Sequence, residues 1–380
     1  MGGETRDIVL VGGGHAHALT LLALTARPIA GARLTLISEG PQAPYSGMLP
    51  GHIAGFYRRE AMHIDLAGLA QRAGARFVRA KAVGLDRARK MALLEGHAPI
   101  AYDLVSLNVG AAPDLAGIAG AAEHGLAVKP IATFLPQLDA MLRAAESPDG
   151  PRRFAVVGGG AAGFELAIAL RLRLDAQARA AGRNPGAFAI TLVNGGALLE
   201  TFNAAVRSRA RAALHTANIS LVEEFRVARV DTSRITSSQG GVLAVDRALL
   251  ATAARAPGWL SETGLAVAAD GSILTRTTLQ TLADDAVFAV GDCGVVADDP
   301  RPKAGVFAVR QGPVLAENLR RLCEGRSLLS YHAQRRFLTL LVSGERRAIA
   351  GRGDWLAFAG RLAWLWKDRI DRSFMARFGA

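Results

Sequence analysis

The chain has 380 residues, half of them hydrophobic, which excludes a disordered protein and leaves room for two or three domains. Its net charge of +12 comes mostly from scattered arginines, and no stretch interleaves aromatic with basic residues, so nucleic acid is not an expected partner. Two cysteines, Cys293 and Cys323, exclude a disulfide framework and a CxxC redox pair and fit a reducing, cytoplasmic setting.

Taken in chain order, the first strand starts by Ile8, so no signal peptide is expected. "DIVLVGGGHAHALTLLAL" reads as strand, glycine turn and helix, the opening of a βαβ unit. Gly12 and Gly14 fill the first two glycine positions of a dinucleotide turn, and His17 stands where a third glycine belongs. His15 and His17 make a poor metal pair, because residues two apart on a helix point to nearly opposite sides. His17 is expected either to pack at the helix–strand crossing or to touch a phosphate. The next strand, "ARLTLISE", ends in Glu39, an acid placed to accept hydrogen bonds from ribose hydroxyls. A strand and small-residue turn, "YDLVSLNVGAAPD", follows.

The same opening recurs as "RFAVVGGGAAGFELAIAL", where Gly158, Gly160 and Gly163 complete GxGxxG. This is the longest apolar region, and its glycines and Glu165 mark it as strand, turn and helix rather than a membrane span. The counterpart of Glu39 reads as Asn194 in "TLVNGG", which leaves the choice between NADH and NADPH open. "VDRALLATAARAPGWL" matches the end of the first copy. An apolar strand ending in Gly291–Asp292, "VFAVGDC", then precedes a helix that stops near Gly325. The tail carries three of the four tryptophans, and from 351 to 380 it holds six basic and three acidic residues. Such a basic, tryptophan-rich amphipathic helix suits a membrane interface, a homodimer contact or docking on the body. On the membrane reading, deletion from Trp355 onward is expected to leave a folded protein, and Trp364, Trp366, Lys367 and Arg369 are expected to face lipid.

Two glycine turns, two small-residue turns and a late Gly–Asp form an ordered set that resembles the two-dinucleotide-binding-domain flavoproteins. That resemblance assigns Asp292 to the ribitol of FAD. The CxxxxC of disulfide reductases is missing from "PYSGMLPGHIAGFY", and no cysteine is placed as in sulfide:quinone reductases. What remains resembles type II NADH dehydrogenases. "GGGHAHA", "YSGMLPG", "VFAVRQGPVLAENL" and "WKDRIDRSFM" resemble more narrowly the flavoprotein module fused to some selenide, water dikinases.

The resemblance implies an α/β fold of two doubly wound Rossmann-like domains plus an amphipathic tail. The FAD domain would be discontinuous, 1–114 and 261–325, around an NAD(P) domain at 115–260, with the tail at 326–380. It implies FAD and NAD(P)H as cofactors and a small-molecule electron acceptor, a quinone by preference, with the protein at the inner face of the membrane. Glu165 is expected near nicotinamide and flavin or as a plain helix acid, Lys303 at a helix start facing the flavin or in solvent, and Tyr45 over the flavin or in the core. The rival readings are a flavoprotein acting on a sulfur or selenium compound, and an FAD-holding redox sensor with a vestigial second site.

Overall fold

The computed structural model describes residues 5–379. The chain begins with β1 (Arg6–Val11), α1 (His15–Ala26) and β2 (Ala32–Ser38), followed by β3 (Arg76–Arg79) and β4 (Leu104–Leu107). A second set follows: β5 (Gly125–Ala127), β6 (Arg153–Val157), α2 (Ala161–Ala180), β7 (Ala189–Val193), α3 (Ala204–Thr216), β8 (Ile219–Val222) and β9 (Arg247–Leu250). The chain then returns with β10 (Val287–Ala289) and α4 (Gly305–Cys323).

These strands make two parallel five-stranded sheets, in the orders β10-β4-β1-β2-β3 and β5-β9-β6-β7-β8. In both, the strand that runs into the glycine turn is the central one. Residues 8–11 and 154–157 are all buried, as strands of a parallel sheet covered on both faces must be. The fold is therefore α/β, with two Rossmann-like sheets and a C-terminal segment. The late helix α4 lies against α1. A Cβ on Gly312 would come within 2.6 Å of the Ala16 carbonyl, and Thr20 Oγ1 donates to the Gly312 carbonyl at 3.0 Å. That close crossing joins the last part of the first sheet's domain to its first helix.

The tail differs from the expectation of a dispensable segment. It forms an antiparallel meander, β11 (Leu338–Gly344), β12 (Arg347–Arg352) and β13 (Leu356–Gly360), and then α5 (Arg361–Ala376). Trp364, Phe374, Met375 and Phe378 belong to the main hydrophobic core. Trp364 packs on Phe56 and Tyr57, with ring centroids 4.9 and 6.0 Å away, and Phe374 on Tyr45 at 4.5 Å. Asn203 caps α3 by accepting from Val206 N, and its Nδ2 donates to the Gly353 carbonyl at 2.7 Å. Lys367 is buried, so neither it nor Trp364 faces lipid. The opposite face of α5 leaves Leu362, Leu365, Trp366 and Ile370 exposed, as is Trp355 before it. The helix is amphipathic because it is docked along one side. No helix among the described residues is long and apolar enough to cross a membrane.

Deletion from Trp355 onward is thus expected to strip the core and give an insoluble or unfolded product. Trp364→Ala should lower unfolding stability by about 3–5 kcal/mol, read from the urea midpoint. A soluble truncated protein with an unchanged midpoint for Trp364→Ala would contradict this packing.

Candidate functional site

The first turn is built against β4. Gly12 has φ 98° and its N–H donates to the Ile37 carbonyl at 2.8 Å. A Cβ at Gly12 would collide with the Asn108 carbonyl, and one at Gly14 would lie 2.5 Å from the Asn108 side chain. Gly14 starts α1 without a side-chain cap, which leaves first-turn N–H groups available to an anion. His17 is completely buried. Its Nδ1 donates to the Gly12 carbonyl at 2.7 Å and its Nε2 accepts from Ser106 Oγ at 2.8 Å. Burial lowers its pKa from 6.5 to about 4, which keeps the ring neutral for that pairing. Both ring nitrogens are committed, so His17 ties the turn to β4 and has none left for a phosphate.

The second turn repeats the construction. Gly158 has φ 123°, and a Cβ there would collide with the Ala251 carbonyl at the end of β9. A Cβ at Gly163 would collide with the Gly158 carbonyl, whereas one at Gly160 would meet nothing within 4 Å. The register corrects the pairing of the strand ends. Val11 pairs with Ile37 and Val157 with Val193, so Asn194 corresponds to Ser38, and Glu39 corresponds to Gly195. The strands "LTLIS" and "ITLVN" end one residue apart from where the acid suggested. Asn194 accepts from Gly159 N at 2.9 Å and donates to the Ala197 carbonyl at 2.9 Å, so its amide braces the turn. Glu39 is exposed just beyond β2.

The Gly–Asp stretch meets the first turn from the other side. Gly291 has φ 67° and its N–H donates to Gln311 Oε1 at 2.7 Å. Asp292 Oδ2 pairs with Lys129 Nζ at 2.9 Å. Lys303 Nζ donates to Ser272 Oγ at 2.6 Å and to the Asp292 carbonyl, and pairs with Asp270 Oδ2 at 3.1 Å. Its ammonium therefore holds the Gly291–Asp292 turn in place rather than standing as a free cation. Sequence reasoning missed Asn108 and Lys129. Asn108 lies between the two segments: a Cβ on Gly291 would come 2.5 Å from its Oδ1. Asn108 Nδ2 and His15 Nε2 are inaccessible to solvent and have no partner among the described residues. The readable signal for Asn108 was a polar residue between an apolar strand and a glycine.

Tyr45 and Glu165 come together with the tail. Tyr45 Oη donates to Asp371 Oδ1 at 3.1 Å. Lys367 Nζ donates to Asp371 Oδ2 at 2.7 Å and to the Gly47 carbonyl at 2.6 Å. Glu165 Oε1 accepts from Val342 N at 2.7 Å. Burial raises the Glu165 pKa to about 7, against the opposing pull of Lys367. Burial also raises Asp371, and the same lysine offsets it. The Tyr45 hydroxyl is pushed well above its ordinary value by burial and by Asp371. His15 stacks edge-on against Tyr45 at 5.4 Å. Lys303 is not part of this cluster. Cys293 is buried, which pushes its thiol up to about 11, far from a reactive thiolate.

A family model described as pyridine nucleotide-disulphide oxidoreductase matches residues 6–312. The chain belongs to that family. Membership takes in both glycine turns and the Gly–Asp stretch. A type II NADH:quinone oxidoreductase of Haemophilus influenzae is 29% identical over 191 residues, which cover 47% of this chain and 41% of that protein. The fold is shared with NDH2 from Plasmodium falciparum in complex with NADH (TM-score 0.81, 14% identity, 99% of this chain and 98% of that one). It is shared also with the sulfide:quinone oxidoreductase from Aquifex aeolicus (TM-score 0.78, 16% identity, 98% and 91%).

The buried imidazole of His17 makes stability depend on pH. In the unfolded chain it takes up a proton below pH 6.5, while in the fold it stays neutral down to about 4. Its contribution to stability is therefore present above pH 6.5 and lost as pH falls from 6.5 to about 4. Glu165 acts with the opposite sign: its raised pKa adds stability at low pH that fades as pH rises from about 4.5 through 7. His17→Gln should make the acid-side loss shallower by up to about 1.4 kcal/mol per pH unit. Urea unfolding at several pH values from 4 to 6.5 reads this, and equal slopes in both proteins would contradict a buried neutral His17.

Proposed function

We propose that this protein is an FAD-dependent NAD(P)H dehydrogenase that passes electrons to a quinone. The observation that carries the reading is the duplicated turn. Each central strand ends in a glycine pressed beneath a neighbouring strand, followed by an uncapped helix start. The residues fit the cofactors. Among the described residues, Asn108 Nδ2 is an unpaired buried donor at the first turn and His15 Nε2 an unpaired buried nitrogen, and the space above Gly160 is open. FAD would be held by 1–114 and 261–325, with Gly12, Gly14 and the start of α1 at its pyrophosphate, Glu39 at its ribose and Gly291–Asp292 at its ribitol. NAD(P)H would be held by 115–260, with Gly158, Gly160 and Gly163 at its pyrophosphate and Asn194 shaping the turn.

Bound FAD supplies the ability to take a hydride and release electrons. The chain supplies position and protons. Glu165, with a pKa near neutrality, exchanges a proton at its carboxylate. Tyr45 is held by Asp371 so that its ring closes the site beside His15. Lys303 acts as a positioning residue that fixes the Asp292 backbone. The buried, unreactive Cys293 gives no support to a sulfur or selenium acceptor. The exposed face of α5 and Trp355 support a peripheral seat on a membrane surface, where a lipophilic quinone would be met.

Gly160→Val tests the second turn. Its side chain enters open space, so the protein should fold and hold FAD as before. It should slow flavin reduction by NADH and NADPH on the order of 100-fold, measured anaerobically by stopped-flow absorbance. Reduction as fast as in the parent would remove the nicotinamide from this turn.

A further inference from the structure

Between the tail and the loop after Ile53 lies a cavity of about 160 Å³, room for several waters. Three elements wall it: Phe56 and Tyr57 from the loop, Arg346 from the β11–β12 turn, and Arg361, Trp364, Leu365, Asp368 and Arg372 along one edge of α5. Three guanidinium groups thus face one carboxylate. Asp368 is already engaged, accepting from Tyr57 Oη at 2.8 Å and from Arg372 Nε at 2.9 Å to each oxygen. Among the described residues, Arg346 and Arg361 have no acidic partner, and the terminal nitrogens of Arg372 have no hydrogen bond. Arg372 is held over the Tyr57 ring at 5.3 Å. Arg361 is the first residue of α5, whose N-cap Gly360 makes no side-chain capping bond and whose first turn holds no acid, so the positive helix end adds to the field.

We propose that this cavity binds the phosphate of a membrane lipid headgroup. Guanidinium forks match phosphate oxygens, and a tetrahedral anion can take donors from three directions at once. The lipid source follows from the rim. Leu365, 59% exposed, lines the cavity and also belongs to the bare apolar face with Leu362 and Trp366. A headgroup in the cavity would place its acyl chains along that face. The proposal rests on the peripheral-membrane reading above and adds to it a defined site in place of diffuse attraction.

The test uses the full-length protein and sedimentation with phosphatidylcholine vesicles containing either phosphatidic acid or oleate at matched surface charge. Arg346→Gln/Arg361→Gln is compared with Arg369→Gln/Arg377→Gln, which removes the same charge outside the cavity. Diffuse attraction is worth about 1 kcal/mol per basic residue near the surface, so it predicts equal losses for the two double variants. The site predicts that the parent prefers phosphatidic acid over oleate. It also predicts that the cavity variant loses about tenfold more affinity for phosphatidic acid vesicles than the control variant. Equal losses with the parent still bound would overturn the site and leave the membrane reading standing. No binding of the parent to either vesicle would overturn both. Calorimetry with inorganic phosphate separates the sources: binding as tight as to vesicles, lost in the cavity variant, would assign the site to a soluble phosphate and overturn the headgroup.

Discussion

The structure depends on how closely each glycine turn presses on the strand beside it. At Gly12 the neighbour is the Asn108 carbonyl and at Gly158 it is the Ala251 carbonyl, and neither gap admits a side chain. Both glycines also take a positive φ that other residues adopt at a cost. With the turn pinned there, the following helix starts directly over the end of the central strand, and its free N–H groups converge on one point. In the first sheet, His17 secures the arrangement from below through Gly12 and Ser106. In the second, Gly163 lets the helix approach the Gly158 carbonyl with no side chain between. The two domains thus reach the same geometry, one by a buried imidazole and one by an absent side chain.

The tail depends on a second constraint, a buried ion pair. Lys367 and Asp371 are each about 5% exposed and one turn apart on α5. Removing two charges from water is costly unless their remaining hydrogen-bonding groups are satisfied. The Gly47 carbonyl and the Tyr45 hydroxyl provide that satisfaction, and both come from the loop that follows β2. The pair therefore fixes the loop and the helix to each other, with the aromatic contacts of Trp364 and Phe374 on either side. Tyr45 and Glu165 owe their surroundings to a segment far away in sequence.

Much of this was legible in the sequence, and the failures have identifiable causes. Two strand–glycine–helix openings and a late Gly–Asp specify the sheets because backbone geometry demands those residues at those places. The sequence holds the role of His17 between two choices, since a histidine in a helix does not reveal whether Ser106 lies beneath it. The sequence pattern puts the counterpart of Glu39 one residue off because strand register is set by pairing between β1 and β2 and between β6 and β7, not by where an acid happens to stand. Asn108 and Lys129 act across long sequence separations and belong to no local pattern. The tail misled because a helix docked along one side and a helix lying on a membrane share the same periodicity. Lys367 and Trp364 looked like anchors for lipid and are core residues, while Leu362 and Trp366 on the opposite face are exposed.

The central claim is that two similar turns hold two different dinucleotides close enough to exchange a hydride. Anaerobic titration of the FAD-loaded protein with NADH and with NADPH, following the absorbance of the oxidised flavin, tests it most directly. The account predicts stoichiometric bleaching by at least one of the two nucleotides, with one nicotinamide consumed per flavin. A protein that binds FAD and keeps its oxidised spectrum in an excess of both nucleotides would contradict it.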